Sequence, residues 1–158
     1  NTLMTPFHNA LLMCAVANDG VLMKPYVIDH IEGADNTTVK ENIPEIYADL
    51  MSKKDAKKLQ KMLREVVTDG TGYSLDTDLY TAAGKTGTAE NEGKYAHAWF
   101  VGYSNVEDPD LVVCVLVENT GGGSKYAVPI AKKIFNSYYN NNMKEYYGEK
   151  KNTAQSDE

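Results

Sequence analysis

Long apolar runs, a basic surface pattern and cysteines are all scarce in this sequence, and each shortage excludes a class of protein. No apolar stretch approaches the roughly 20 residues that a membrane-spanning helix needs. Asn1–Met4 lack the charged start and long apolar region of a signal peptide. Acidic residues outnumber basic ones, 22 to 16, so the net charge of −6 disfavours nonspecific binding to nucleic acid.

The few cysteines and histidines are too dispersed to indicate a metal site. Cys14 and Cys114 each lie among apolar residues, which predicts two buried free thiols, with a single disulfide as the alternative. Neither belongs to a C-x-x-C pair, and His8, His30 and His97 are far apart in the sequence. We therefore expect no zinc site.

The chain does contain enough apolar material for one domain. Its 158 residues are 42% hydrophobic, which is typical of a soluble globular protein with a single core. No internal repeat is visible in the sequence. Residues 1–142 are predicted to form the domain, and the polar residues 143–158 are predicted to be a disordered tail.

Three segments carry apolar residues at helical spacing. Thr5–Pro6 predicts the start of the first helix, with Thr as N-cap and Pro at the first helical position, and Asn18–Gly20 predicts its end. The second begins at Ser52, which forms a variant capping box with Asp55, and ends at Asp69–Gly72. The third follows a glycine-rich loop, and its apolar positions are Ala127, Ile130, Ala131, Ile134, Phe135 and Tyr138.

The second helix has two faces of different character. The face predicted to be buried comprises Ala56, Leu59, Met62, Leu63, Val66 and Val67. The opposite face comprises Lys53, Lys54, Lys57, Lys58 and Lys61. We interpret the lysines as a solvated face, with contact to an acidic surface as the alternative.

The remaining segments are predicted to be strands or loops. Between the first two helices, Val21–Ile31 predicts a strand that Pro25 interrupts, Gly33–Asn42 a polar loop and Ile43–Leu50 a short extended piece. After the second helix, three strands are joined by short turns and form a predicted antiparallel meander. These strands are Tyr80–Glu90, His97–Tyr103 and Leu111–Val117. The order of elements predicts an α+β fold in which helices cover an antiparallel sheet.

The run Tyr80–Glu90 is the most informative part of the chain. Its small residues predict an edge strand that a ligand backbone can approach closely. Gly84 and Gly87 remove side-chain bulk on either side of a charged position, which also suggests close approach by a ligand or another backbone. Lys85 offers an ammonium group, and Thr86 and Thr88 offer hydroxyls. A lysine flanked by hydroxyls and exposed N–H groups is suited to binding a carboxylate or a developing oxyanion.

Two other interpretations of this run are open. Gly84–Thr86 matches the end of the nucleotide-binding motif G-x-x-x-x-G-K-[ST], but Leu79 occupies the position of the motif's first glycine. The loop would therefore lack its first tight turn. The other alternative is a hairpin with only a structural role.

The longer run Lys85–Glu90, with the sequence K-T-G-T-A-E, resembles the K-T-G element of penicillin-binding proteins and serine β-lactamases, and of class B penicillin-binding transpeptidases in particular. A β-lactamase is the weaker match within this group. The likeness covers about residues 1–140, in the family's order. Three flanking stretches share it: the helix from Thr5–Pro6 to Ala17–Gly20, Val66–Val67 before Gly70–Gly72, and Ala98–Tyr103.

The resemblance implies a role for each residue of the K-T-G run. Lys85 would bind the carboxylate of a peptidoglycan stem peptide ending in D-Ala-D-Ala, or that of a β-lactam, with help from the hydroxyls of Thr86 and Thr88. The backbone of Gly87 would allow close approach, and the N–H of Thr88 would be one arm of the oxyanion hole. No metal or organic cofactor is implied. The parent protein would be anchored in a bacterial membrane and face the cell exterior.

The other catalytic motifs of the family are absent from these 158 residues. None of the six serines is followed by Lys after three positions or by Asn after two: Ser52, Ser74, Ser104, Ser124, Ser137 and Ser156. Tyr138–Asn140 matches Y-x-N, but it follows the K-T-G strand, whereas the family places that motif before it. We therefore expect this chain to be the C-terminal part of a transpeptidase domain that lacks its nucleophile. We expect the chain to be inactive by itself and soluble.

Two further expectations follow from that interpretation. A piece cut from a larger domain exposes apolar surface, so we expect self-association. The alternative function is a noncatalytic ligand-binding or interaction domain that retains a K-T-G strand.

Overall fold

The structure is a computed structural model that describes residues 3–140. Its helices and strands, in chain order, are α1 (Pro6–Ala17), β1 (Val21–Met23), β2 (His30–Glu32), β3 (Thr38–Glu41), β4 (Ile46–Asp49), α2 (Lys53–Thr68), a 3₁₀ turn (Tyr73–Leu75), β5 (Ala82–Ala89), β6 (His97–Ser104), β7 (Leu111–Val117) and α3 (Gly123–Asn140). Strands β5, β6 and β7 form an antiparallel sheet in that order. The predicted α+β fold with a meander is confirmed.

Helix α3 packs on one face of this sheet and α1 on the other, and α2 contributes to both cores, with Val67 on the α3 side and Leu63 on the α1 side. Because side chains alternate along a strand, neighbouring residues of β6 enter different cores. Phe100 belongs to the cluster on the α3 side, with Val113, Val115, Ala131 and Phe135. The cluster on the other side comprises Met13, Val16, Ala17, Leu63, Ala83 and Tyr103. Leu63 comes from α2, so both N-terminal helices contribute to that second core.

Local capping groups set the ends of α1 and α2. The Thr5 hydroxyl accepts a hydrogen bond from the His8 N–H, and Pro6 occupies the first helical position. Gly20 follows α1 with φ of +99°, a conformation that side chains rarely adopt. The Ser52 hydroxyl accepts a hydrogen bond from the Asp55 N–H at the start of α2. Both predicted helix starts are therefore confirmed.

Residues 21–50 differ from the prediction. The strand predicted over Val21–Ile31 is two strands in two separate two-stranded sheets, because β1 pairs with β4 and β2 pairs with β3. The polar loop predicted over Gly33–Asn42 contains β3, all four residues of which are exposed. A strand that is exposed on both faces has no buried positions and therefore no alternation of apolar and polar residues for a sequence pattern to reveal.

The buried faces of the helices are also narrower than predicted. Met62 is 61% exposed, and Ile130 and Ile134 of α3 are 41% and 40% exposed. Gln60, by contrast, is 4% exposed and donates a hydrogen bond of 2.7 Å to the carbonyl oxygen of Val16. This bond satisfies an acceptor at the end of α1, which explains why an amide side chain lies between the two helices.

Other sequence-based expectations concern single residues or the tail. Cys14 and Cys114 are free thiols, but both are half-buried rather than fully buried. The predicted disordered tail, residues 143–158, lies outside the residues that the structure describes. Within residues 3–140, no helix has both the length and the apolarity needed to cross a membrane.

Part of the lysine face of α2 is tied to the end of α1. The Nζ atoms of Lys53 and Lys57 lie 2.8 and 2.9 Å from the carboxylate oxygens of Asp19, and Gln60 donates a third hydrogen bond to the same carboxylate. The bond from Lys53, followed by that from Lys57, lowers the pKa of Asp19 to about 2. The predicted solvated face is therefore in part a helix–helix contact.

We expect the Asp19→Asn variant to be less stable than the original chain by about 1 kcal/mol at neutral pH. The pKa of Asp19 is lower in the folded chain than its ordinary value of 3.8, so its contribution is fully present above about pH 4 and is lost as the pH falls through about 2. Asn tolerates the positive φ of this position, so the substitution removes mainly the charge. Urea unfolding of both proteins as a function of pH measures the difference, and a difference that does not decrease as the pH is lowered to 2 contradicts this assignment.

Candidate functional site

The strand that carries the K-T-G run forms one edge of the three-stranded sheet. β5 pairs only with β6 among the described strands. The Arg64 guanidinium covers the start of this edge, where it donates a hydrogen bond of 2.9 Å to the carbonyl oxygen of Ala82 and also binds Asp76. From Lys85 onwards the strand becomes accessible, with Lys85, Thr88 and Ala89 exposed. The edge is thus closed at its beginning and open along the K-T-G run.

The backbone N–H and C=O groups of even-numbered residues in β5 point away from β6, towards the open edge of the sheet. The carbonyl oxygen of Ala82 accepts from Arg64, and that of Thr86 accepts a hydrogen bond of 2.7 Å from the Lys85 Nζ. In an antiparallel pair, alternate residues of an edge strand direct both N–H and C=O away from the neighbouring strand. The N–H of Thr88 belongs to the same set, so it points outwards at the open edge.

Lys85 lies on the sheet face that α1 and α2 cover only in part. An open groove of about 1190 Å³ occupies the uncovered portion. Besides Lys85, its lining includes Leu3, Met4, Asn9, Gly87, Glu90, Glu92, Lys94 and Trp99. The groove therefore combines a lysine, an aromatic surface and carboxylates next to the backbone edge.

The structure separates residues that the sequence analysis grouped together. By alternation, Lys85 and Gly87 face the α1 side of the sheet, whereas the side chains of Thr86 and Thr88 face the α3 side. Thr86 lines the groove, but Thr88 does not. Neither hydroxyl therefore lies on the same face of the strand as the lysine side chain, contrary to expectation, and Thr88 is better placed to act through its backbone N–H.

Thr71 is a residue of the site that the sequence analysis missed. Its hydroxyl oxygen lies 2.7 Å from that of Thr86, and both side chains are accessible at the sheet edge. In the sequence, Gly70–Gly72 predicted the end of α2 and belonged to a stretch that resembles the family, but a contact across 15 positions leaves no local pattern that links Thr71 to Thr86. The hydrogen bond orients the Thr86 hydroxyl and adds a second hydroxyl to the edge.

Gly84 has a different role from the one predicted. A Cβ at this position would lie within 3.0 Å of the Phe100 ring and of the backbone at Val101 and Gly102. Gly84 is buried, so the absence of a side chain leaves space for core residues and not for a ligand.

Gly84–Thr86 lie inside a strand that another strand follows, which excludes the strand–loop–helix geometry of a nucleotide-binding P-loop.

No metal-binding cluster is present among residues 3–140, where no three His, Cys, Asp or Glu side chains converge. His97 forms no cluster with other potential metal ligands among the described residues. Its Nδ1 accepts a hydrogen bond of 3.0 Å from the Asn119 N–H, which ties the end of β7 to the start of β6. The chemistry available at the open edge is therefore binding through an ammonium group, hydroxyls and backbone donors.

Comparison with known proteins places this arrangement in a family. Residues 2–136 match the family model described as the penicillin binding protein transpeptidase domain. The chain is 32% identical over 140 residues to the peptidoglycan D,D-transpeptidase PbpA of Mycolicibacterium smegmatis, covering 82% of this chain and 28% of the relative. It is 34% identical over 160 residues to the peptidoglycan D,D-transpeptidase MrdA of Haemophilus influenzae, covering 88% and 24%.

Solved structures agree with the sequence comparison. The D,D-transpeptidase domain of a peptidoglycan glycosyltransferase from Eggerthella lenta superposes with a TM-score of 0.72 at 33% identity, covering 82% of this chain and 32% of that one. Penicillin-binding protein A from M. tuberculosis, in its ceftriaxone acyl-enzyme complex, superposes with a TM-score of 0.76 at 26% identity, covering 85% and 32%.

The chain spans only about a quarter of the length of the curated relatives it matches. Within that span, the family match includes both N-terminal helices, the central sheet and most of α3. This chain belongs to the penicillin-binding protein transpeptidase domain family.

Proposed function

We propose that this chain supplies the substrate-binding strand of a class B peptidoglycan D,D-transpeptidase, which cross-links the cell wall by acyl transfer from stem peptides ending in D-Ala-D-Ala. The observation that carries the proposal is the open edge of β5, where the Lys85 Nζ and the outward N–H of Thr88 lie next to a groove. An ammonium group such as that of Lys85 can bind the terminal carboxylate of a peptide, and a backbone N–H such as that of Thr88 can bind the oxygen of the reacting carbonyl group.

The substrate carboxylate would take the place of the Thr86 carbonyl oxygen as the partner of Lys85. That carbonyl is a neutral acceptor, so exchanging it for a carboxylate gains a charge-assisted hydrogen bond. The paired hydroxyls of Thr86 and Thr71 add further hydrogen-bonding groups at the same edge. Gly87 keeps side-chain atoms away from the approaching peptide.

The N–H of Thr88 would stabilise the oxyanion that forms when a serine attacks the scissile carbonyl. The serine oxygen bonds to the carbonyl carbon, and the intermediate collapses with loss of D-alanine as the amine, leaving an acyl-enzyme. An amine of a second stem peptide then attacks the ester and releases the serine. One oxyanion donor contributes about 3 kcal/mol in other acyl-transfer enzymes. The same donor would hold the carbonyl oxygen of a β-lactam.

The serine in this scheme lies outside the 158 residues, since none of the six serines precedes Lys in S-x-x-K. We therefore expect the chain alone to form no covalent adduct with a fluorescent penicillin after heating in detergent. The complete protein that contains these residues is the control, and it should be labelled at an upstream serine. A heat-stable label on the 158-residue chain would contradict the proposal.

The alternative function is a noncatalytic binding or interaction domain that has kept the K-T-G strand. The encoding gene distinguishes the two. An S-x-x-K motif upstream in the same reading frame supports the transpeptidase, and a reading frame without it supports the noncatalytic domain.

Membrane anchoring of the complete protein on the outer face of the cell is part of the same proposal. Self-association of the isolated chain stays a prediction. Its physical basis is the groove beside β5, where Leu3 and Met4 are 96% and 41% exposed.

A further inference from the structure

The first residue of α3 lies against the backbone of the K-T-G strand. Gly123 is buried, and a Cβ at this position would lie within 3.0 Å of the carbonyl oxygens of both Gly87 and Trp99. It would also lie 3.1 Å from the nitrogen of Gly87. All three are backbone atoms of a paired sheet, so they cannot move aside as the end of a flexible side chain can.

This contact falls on a hydrogen-bonded pair of the sheet. Gly87 and Trp99 are opposite each other in β5 and β6. Both of their carbonyl oxygens approach one point above the sheet, which is possible only where the two residues point their backbone groups towards each other. The N–H of the next residue, Thr88, must then point away from β6, in agreement with the outward carbonyl groups of Ala82 and Thr86.

We propose that Gly123 is a positioning residue, which seats the amino-terminal end of α3 on the backbone of Gly87 and thereby sets the direction of the Thr88 N–H. The inference rests on the proposed function and adds a residue from a different element to its site. Any side chain at position 123 must displace α3 or the strand pair beneath it. Displacement of the strand moves the Thr88 donor, whereas Lys85 keeps its flexible side chain and its reach to a carboxylate.

Gly122 provides a matched control. A Cβ at position 122 would meet only the Thr88 hydroxyl oxygen, at 3.9 Å, which is an ordinary contact distance. Gly122→Ala therefore adds the same methyl group one residue earlier without pressing on the strand. Alanine also has the higher helix propensity, so a loss of function in Gly123→Ala cannot be assigned to a weaker helix.

The experiment compares both variants in the complete protein that contains these residues and its nucleophilic serine. Stopped-flow acylation by a chromogenic cephalosporin separates the dissociation constant of the initial complex from the first-order acylation rate. We expect Gly123→Ala to lower the acylation rate by about 10- to 100-fold, the size of effect that a misplaced group produces. We expect the dissociation constant to stay within about 2-fold, and Gly122→Ala to match the original protein.

Each other outcome has a defined meaning. Equal acylation rates in Gly123→Ala and the original protein overturn the positioning role, and so does a change confined to the dissociation constant. Melting temperatures show whether the variants are folded at the assay temperature. A Gly123→Ala protein that does not fold also overturns the proposal, because the residue then serves the fold as a whole. If the original protein itself is not acylated, the proposed function fails, which is a separate result.

Discussion

Replacing Lys85 by alanine is expected to lower the acylation of the complete protein by a β-lactam by about 10- to 100-fold. A hydrogen bond to a charged group contributes about 1.5–3 kcal/mol, and each 1.4 kcal/mol corresponds to a factor of ten. In the structure the Nζ atom has a neutral partner, the carbonyl oxygen of Thr86, which the ligand carboxylate would replace. The second-order rate constant of acylation measures the loss.

Lys94 is the matched control for this substitution. It lines the same groove and has the same charge, but it lies in the turn between β5 and β6 rather than on the edge strand. Lys94→Ala should change the acylation rate by no more than about 2-fold, because an exposed charge in the turn acts mainly through a field that salt screens. Equal losses in the two variants would show that the groove attracts anions through its overall charge, and that Lys85 has no special role.

Replacing Phe100 by alanine is expected to destabilise the chain by about 3–5 kcal/mol, as is usual for a buried aromatic side chain. Phe100 is fully buried in the core between the sheet and α3. The tip of its ring lies beneath Gly84 and Gly102, which are opposite each other in β5 and β6. Truncation leaves a cavity directly under the strand pair that carries the site, and the neighbouring glycines have no side chains to fill it.

Urea unfolding of the 158-residue chain measures this loss, with Met62→Ala as the control. Met62 is also a large apolar residue, but it is 61% exposed, so its truncation should cost less than about 1 kcal/mol. Similar losses in both variants would mean that the sheet and α3 do not form the stabilising core. In the complete protein that contains these residues, Phe100→Ala is expected to lower acylation by a β-lactam as well, measured on the folded fraction, because the Phe100 ring contacts Gly84 of β5.

The features that the sequence alone predicted are those that neighbouring residues produce. Thr5–Pro6 and Ser52 start helices through hydrogen bonds that span three residues, so their signals are complete within one turn. The strands of the meander are consecutive and joined by short turns, so their pairing follows from their order. The K-T-G run was recognisable for the same reason, because its functional residues are adjacent in the sequence.

The strand pairing in residues 21–50 was not predictable in the same way. The segment between β1 and β4 contains the β2–β3 hairpin, and no local signal selects one pairing partner over another. Most of β2 and all of β3 are exposed. Without a buried face, the sequence loses the alternation from which register is inferred.

The sequence by itself determined the fold class, the family and the identity of the K-T-G strand, because these depend on residues that lie close together in the chain. Only the tertiary structure decided which groups meet at the site. Thr71 joins Thr86 from the end of α2, and Gly123 reaches Gly87 from the start of α3. The physical reason is that contacts between distant segments depend on how helices and sheet pack together, and packing is a property of the folded chain as a whole.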